Sequence, residues 1–310
     1  MLVRLSTATA IVTSLFLAGC GGGGTDADGP DAGGGMDAPA PPAEGFRIQS
    51  PPRAVMPGEE VTYCYYTTIP TDRDMGIKRW SSQMTPGSHH LILFAGSPNQ
   101  PPDGTVDDCG GAGTIPYWIY SAQNPTAEAL MPAGVGMKIA AGQKVYVQMH
   151  YLNTGDAALD ASVTIDAEAY PAAQPYTPAA AYVTYTANFN IAPMSAGTAG
   201  ASCRVPAGSK FFALSTHVHR FSTRTQVDDG TAMVFESTNW EHPGARTWAT
   251  EPFFTFASGR LTYKCEYFNS TANPVREGQS AQTNEMCMAV GYFFPAERAT
   301  ICVNGTVLPL

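Results

Sequence analysis

Five of the six histidines in this 310-residue chain fall into three short clusters, His89-His90, His150 and His217/His219. The stretch Leu214-Ser215-Thr216-His217-Val218-His219-Arg220-Phe221 is apolar and β-forming. Residues two apart on a strand face the same way, so His217 and His219 can close on one ion. His89 and His90 are adjacent and would point to opposite faces of a regular strand. The preceding Pro86-Gly87-Ser88 predicts an irregular strand start, where both rings can turn toward one ion. His150 ends the alternating run 144–151 and is the expected third ligand of that site. Three neutral imidazoles with an open position suit copper or zinc. A single histidine at a strand end is usually just hydrogen-bonded, but five of six clustered in this way point to metal. The sixth, His242 in the polar turn Glu241-His242-Pro243, reads as surface.

The elements that must position these residues read as strands. Val61-Thr62-Tyr63-Cys64-Tyr65-Tyr66 is β-branched and aromatic, His90-Leu91-Ile92-Leu93-Phe94 is a buried apolar run, and 144–151 alternates. Met84-Thr85-Pro86-Gly87 and Ala140-Ala141-Gly142-Gln143 are turns. Further strands are expected over 211–214, 261–267 and 289–294, and no long amphipathic helix is predicted. Many short strands with regular turn signals argue for sandwiches. The expectation is an all-β protein of two consecutive antiparallel β-sandwich domains, 46–175 and 176–310. The segment 171–180, three prolines among alanines, marks the boundary.

Composition narrows the function classes. The hydrophobic fraction of 44% supports a sizeable core. With 17 basic against 26 acidic residues, a formal charge of -9 and no run of Lys or Arg, nucleic acid is not an expected partner. Only 14% of residues are charged, against roughly 25% in typical soluble domains. Residues 1–20 carry Arg4, an apolar run over 8–17 and Leu17-Ala18-Gly19-Cys20. That run is too short to span a membrane, which takes about 20 apolar residues. It resembles a bacterial lipoprotein signal with Cys20 as the lipidated first residue, an ordinary secretory signal being the alternative. Residues 21–45, mostly Gly, Asp, Ala and Pro, read as a flexible tether. The expected product is an exported monomer, lipid-anchored on the outer face of a bacterial membrane.

Setting Cys20 aside leaves Cys64, Cys109, Cys203, Cys265, Cys287 and Cys302. In an exported protein an even set implies disulfides, and six cysteines permit 15 pairings, among which the residues alone do not choose. If Cys64 pairs with Cys109, each bridge stays inside one expected domain. No CxxC pair supports a thiolate metal site.

Taken together, His89-His90-Leu91-Ile92-Leu93-Phe94, Gln148-Met149-His150-Tyr151, Thr216-His217-Val218-His219 and Glu285-Met286-Cys287 give the chain a specific likeness. In order and rough spacing it resembles the copper type II, ascorbate-dependent monooxygenases, which include the peptidylglycine α-hydroxylating and dopamine β-monooxygenases. The likeness covers about 61–302, and Asn239-Trp240, Gly259-Arg260-Leu261 and Cys265-Glu266-Tyr267 also resemble the family's second domain. The resemblance implies the disulfides Cys64–Cys109, Cys203–Cys302 and Cys265–Cys287. It implies jelly-roll-like sandwiches facing each other across an interdomain cleft, and two copper ions: an electron-storing one on His89, His90 and His150, and an oxygen-activating one on His217, His219 and Met286. A thioether is a soft donor that favours Cu(I), which fits Met286 to the second role. Gln148 matches a family position near the first copper, although a solvent-facing strand Gln is as ordinary a reading.

The implied reaction is hydroxylation of a C–H bond with O₂, with ascorbate or a similar small reductant supplying electrons. Departures from the family bear on the substrate. Its peptide-processing members carry an arginine where this chain has Ser215, and an asparagine and a tyrosine where it has Met288 and Val290. A serine cannot reproduce the bidentate grip of a guanidinium on a carboxylate. A small, apolar substrate is therefore expected, not a glycine-extended peptide, with Met288 and Val290 lining an apolar pocket. Arg220 and Arg224 read as solvated strand ends. The alternatives are a non-catalytic copper-binding lipoprotein for sequestration or delivery and a mononuclear zinc hydrolase.

Overall fold

The computed structural model describes residues 40–109 and 117–308, and these contain 24 strands and no helix. The protein is all-β. The signal segment, Cys20 and most of the expected tether lie outside the described residues. Chain order begins with the strand Gly45–Gln49, which pairs with Val163–Ala169.

Two layers enclose a first core. One is a five-stranded sheet in the order Val106–Asp108, Glu60–Thr68, Lys144–Leu152, Ser88–Ala95, Tyr117–Ala122. The other is the first part of an eleven-stranded sheet, running Gly45–Gln49, Val163–Ala169, Met75–Met84, Val135–Ile139. Alternation decides which side chains meet between them: Leu91, Leu93, Val145, Val147 and Met149 from the first sheet pack with Ile77, Trp80 and Ile165 from the second.

The long sheet then continues through Thr177–Tyr185, Met288–Phe294, Lys210–His217 and Arg246–Thr247. This part covers a four-stranded sheet ordered Ser195–Arg204, Arg260–Asn269, Ser222–Asp228, Met233–Ser237, and the second core lies between them around Phe211, Leu214, Tyr263 and Phe293. Thr177–Tyr185 splices the two parts. It pairs in parallel with Val135–Ile139 and antiparallel with Met288–Phe294. Its side chains feed three apolar clusters, with Ala179 in the first core, Tyr182 in the second, and Ala181 and Val183 in a smaller one with Met286, Met288 and Val290. The proline-rich segment expected as a boundary therefore turns into strand at Thr177. Pro178 is tolerated there because its carbonyl, which accepts from the Ala296 amide at 2.8 Å, is the group that pairs.

The disulfides Cys64–Cys109, Cys203–Cys302 and Cys265–Cys287 are formed, the three pairs implied by the resemblance.

Candidate metal centre

Each sandwich spends one sheet face on its core, and the site is built where their other faces meet. Ser88–Ala95 begins after Gly87, whose φ of 101° is open to glycine and strained for other residues. In the pairing with Lys144–Leu152, His90 stands opposite His150 and Ser88 opposite Tyr151, leaving His89 as the extra residue of a β-bulge. A bulge re-aims a side chain, and here it lets two consecutive histidines reach one place: the His89 and His90 ring centroids are 5.2 Å apart. The irregularity expected at Pro86-Gly87-Ser88 thus falls on His89 itself. His150 shares a strand face with Gln148 and Tyr146.

From the other sandwich come His217, the last residue of Lys210–His217, and His219 in the turn that follows. All five imidazoles form one cluster. His89 is its hub, with centroids 5.2 Å from His90 and His150, 5.0 Å from His217 and 5.4 Å from His219. Trp240 covers His89 at 5.6 Å. Two three-histidine groups have ligand atoms within 4.8 Å of one another, His89/His90/His217 and His89/His150/His219. Each group mixes the two sandwiches, so the rings do not sort into a first-sandwich trio and a second-sandwich pair.

The ring protons are placed by neighbours. Gln123 donates its amide N–H to the Thr216 carbonyl at 3.1 Å, so its Oε1 is the acceptor for His217 Nδ1–H at 2.7 Å. His219 Nδ1 faces the Asn284 carbonyl at 3.2 Å, which can only accept. His150 Nε2 faces the Glu60 carboxylate at 2.9 Å. Burial alone would raise Glu60, but hydrogen bonds from His150, Ser280 and Ala281 outweigh it and hold the carboxyl at about 2. It is therefore ionised at neutral pH and accepts from His150 Nε2–H. The lone pairs left over are Nε2 of His217, Nε2 of His219 and Nδ1 of His150.

The remaining polar atoms test the fit to a metal. His89 Nε2, His90 Nδ1, His217 Nε2 and His219 Nε2 are buried without hydrogen-bond partners, a costly state for polar atoms. Burial, reinforced by repulsion between neighbouring imidazoles, lowers His89, His90 and His217 well below the ordinary histidine range and His219 to about 3. Gln148 lies beside His90 and partly opposes that lowering. Neutral imidazoles with unpartnered nitrogens are what a copper or zinc ion requires.

Met286 is buried in the small apolar cluster. The register that pairs Ser215 with Val290 and His217 with Met288 would place Met286 opposite His219, just past the end of the ladder. Its backbone is held on both sides: the carbonyl accepts from Tyr267 OH at 2.7 Å, and the amide donates to Glu285 at 3.2 Å. Glu285 is itself fully buried and also accepts from the backbone amides of His219 and Phe221 at 2.9 and 2.7 Å. Burial raises its carboxyl to about 7 against these amides. Sequence reasoning passed over Glu60, Gln123, Asn284 and Glu285 as site residues. Glu285 stands out in the sequence only within Glu285-Met286-Cys287, and the others carry no local signal because their partners are remote in the chain.

Beside the histidines lies a cavity of about 1130 Å³ whose wall includes His90, Gln148, His217, Met286, Met288 and Val290. Aromatic side chains from both sandwiches, among them Phe94, Trp118, Phe212 and Tyr292, complete it. Among the described residues no Lys or Arg lines it, and Glu128 and Glu277 do. Ser215 donates to the Gly244 carbonyl at 2.6 Å. Arg224 pairs with Glu236, and Arg220 lies over the Phe221 ring. His242 is exposed, with Nδ1 3.2 Å from the Gln123 carbonyl.

No family model matches the chain and no curated protein matches it. Among solved structures it is similar to the major capsid protein P2 from Bacteriophage PM2, at 8% identity and a TM-score of 0.33 over 80% of this chain and 97% of that one, a likeness too slight to bear on function.

Proposed function

We propose that this protein is a copper-dependent monooxygenase that hydroxylates a C–H bond of a small, neutral, largely apolar molecule. The observation that supports this best is the convergence of five buried imidazoles, four with unpartnered nitrogens, beside an apolar cavity whose wall includes two of them, His90 and His217, together with Met286. The resemblance of the ligand motifs to the copper type II, ascorbate-dependent monooxygenases supplies the chemistry.

In this reading the resemblance assigns His89, His90 and His150 to one copper and His217, His219 and Met286 to the other, a sorting that differs from the two mixed groups the rings form here. Copper held there would supply one-electron chemistry; hydroxylation of R–H by O₂ to R–OH and water takes two electrons and two protons, and ascorbate or a similar reductant would be the source of the electrons. The chain's own residues do the rest. Gln123, Glu60 and Asn284 keep ring protons away from the ligand nitrogens, and Met288, Val290, Trp118 and Phe94 give the substrate a surface from which water is excluded. The absence of Lys and Arg among the described lining residues leaves a substrate carboxylate without a partner. Three disulfides fit an oxidising, exported setting, and a lipid anchor at Cys20 would hold the protein at a bacterial membrane surface.

One observation favours copper sequestration without turnover: the rings pack so closely that His89 belongs to both three-histidine groups. Metal analysis combined with ascorbate-driven oxygen uptake, comparing wild type with Met286→Ala, separates these readings. Oxygen uptake that is lost in Met286→Ala while most copper stays bound supports the monooxygenase. Copper without uptake in wild type supports sequestration. Zinc after purification, with Met286→Ala harmless, would indicate a zinc hydrolase.

A further inference from the structure

We infer that Glu60 is a positioning residue whose one carboxylate orients two of the site's histidines, His150 directly and His219 through the turn 280–284. This rests on the metal-centre reading and assigns Glu60 a part in it. Glu60 opens the strand Glu60–Thr68, in which Thr62 stands opposite His150 and Glu60 opposite Leu152. Two residues from Thr62 on the same strand, Glu60 is a diagonal same-face neighbour of His150. Its Oε1 accepts from His150 Nε2–H at 2.9 Å and from the Ala281 amide, and its Oε2 from Ser280 Oγ–H at 2.6 Å.

Ser280 and Ala281 are about 220 residues away, in the other sandwich. There Ser280 Oγ accepts from the Gln282 and Thr283 amides, both at 3.2 Å, and the Ser280 carbonyl accepts from the Asn284 amide at 2.9 Å. The Asn284 carbonyl, at the far end of that turn, accepts from His219 Nδ1–H at 3.2 Å. A continuous hydrogen-bonded brace therefore runs from His150 through Glu60 and the turn to His219. Together with His89 these rings form one of the two groups that can close on an ion. A part-buried carboxylate that served only to stabilise a turn would have no need to bond one imidazole of that group directly and reach a second through the turn. Outer-shell partners of this kind set the tautomer and orientation of a ligating histidine.

The test uses the metal-free and copper-loaded full chain labelled with ¹⁵N-histidine, in wild type, E60Q, E60A and S280A. Ring-nitrogen NMR of the metal-free wild type should show His150 as the Nε2–H tautomer and His219 as the Nδ1–H tautomer. In E60A both signals should move toward a mixture of tautomers, and Cu(I) affinity by chelator competition should fall about 10–100-fold. E60Q keeps an acceptor oxygen for His150 and Ala281, and should retain the wild-type tautomers and most of the affinity. S280A should shift His219 and leave His150 in place, which carries the test if E60A does not fold. Wild-type tautomers and affinity in E60A would overturn the inference, and so would a shift of His150 alone. Failure of the wild type to bind copper would instead count against the metal reading, because the metal-free tautomers still report on the brace.

Discussion

His217 donates its Nδ1 proton to Gln123 Oε1 across 2.7 Å and 94 residues of sequence, so a side chain of the first sandwich fixes which nitrogen of a second-sandwich histidine is left for metal. Gln123→Ala should leave that buried donor unsatisfied and cost about 1–3 kcal/mol of stability. Copper affinity should fall about 10–100-fold, since the ring can then adopt either tautomer. Urea unfolding and chelator competition measure the two effects. Wild-type values in both would show that the Gln123 contact orients nothing.

Acid should destabilise the metal-free protein in a window set by the histidines. His89, His90 and His217 stay neutral in the fold well below the ordinary histidine value of 6.5, and His219 down to about 3. Above pH 6.5 both folded and unfolded chains carry neutral rings, and this contribution to stability is fully present. As pH falls below 6.5 the unfolded chain takes up protons that the folded chain refuses, and stability drops until the folded-state values are reached. Bound copper also requires neutral imidazoles, so loading should move the acid transition to lower pH. Unfolding midpoints between pH 7 and 4, with and without copper, check this. A midpoint that does not change from pH 7 to 5 in the metal-free protein would contradict it.

Period-two alternation makes the strands legible from sequence, because half of each strand must face a core: Leu91 and Leu93, or Val145, Val147 and Met149, appear as they pack. Clustered histidines are legible for a similar reason, their rarity elsewhere. The bulge at His89 is announced by Pro86-Gly87. What the residues do not announce is anything closed over long separations. Glu60 and Asn284 are ordinary polar residues until the fold brings His150 and His219 to them, and the mixing of the two sandwiches' histidines in each ligand group depends on how two sheet faces meet. Thr177–Tyr185 misleads for a different reason. Its small and proline-rich start looks like a linker, yet the strand it opens serves three apolar clusters through Ala179, Tyr182, and Ala181 with Val183.

The cavity should discriminate by charge. Its described lining has no Lys or Arg and includes Glu128 and Glu277, so a buried ligand carboxylate would be desolvated without a partner. Indole should raise the thermal midpoint of the protein, and indole-3-carboxylate should not. Val290→Phe, which fills space opposite Ser215, should weaken indole by about tenfold while leaving copper content unchanged. Equal binding of the carboxylate would remove the basis for a neutral substrate.

The bridge Cys265–Cys287 sits immediately after Met286 and in the same strand as Tyr267, whose hydroxyl holds the Met286 carbonyl. It closes a separation of 22 residues, whereas Cys203–Cys302 closes 99. By loop length alone the longer bridge should matter more to stability, about 4–5 kcal/mol against about 3 kcal/mol. By position the shorter one should matter more to the metal, because it anchors the backbone that presents Met286. The double variant Cys265→Ala/Cys287→Ala should therefore lose less stability and more Cu(I) affinity than Cys203→Ala/Cys302→Ala. Denaturant unfolding and chelator competition on the folded fraction give the two rankings. If the affinity ranking follows the stability ranking, the shorter bridge has only a general structural role, and Met286 does not depend on it for its position.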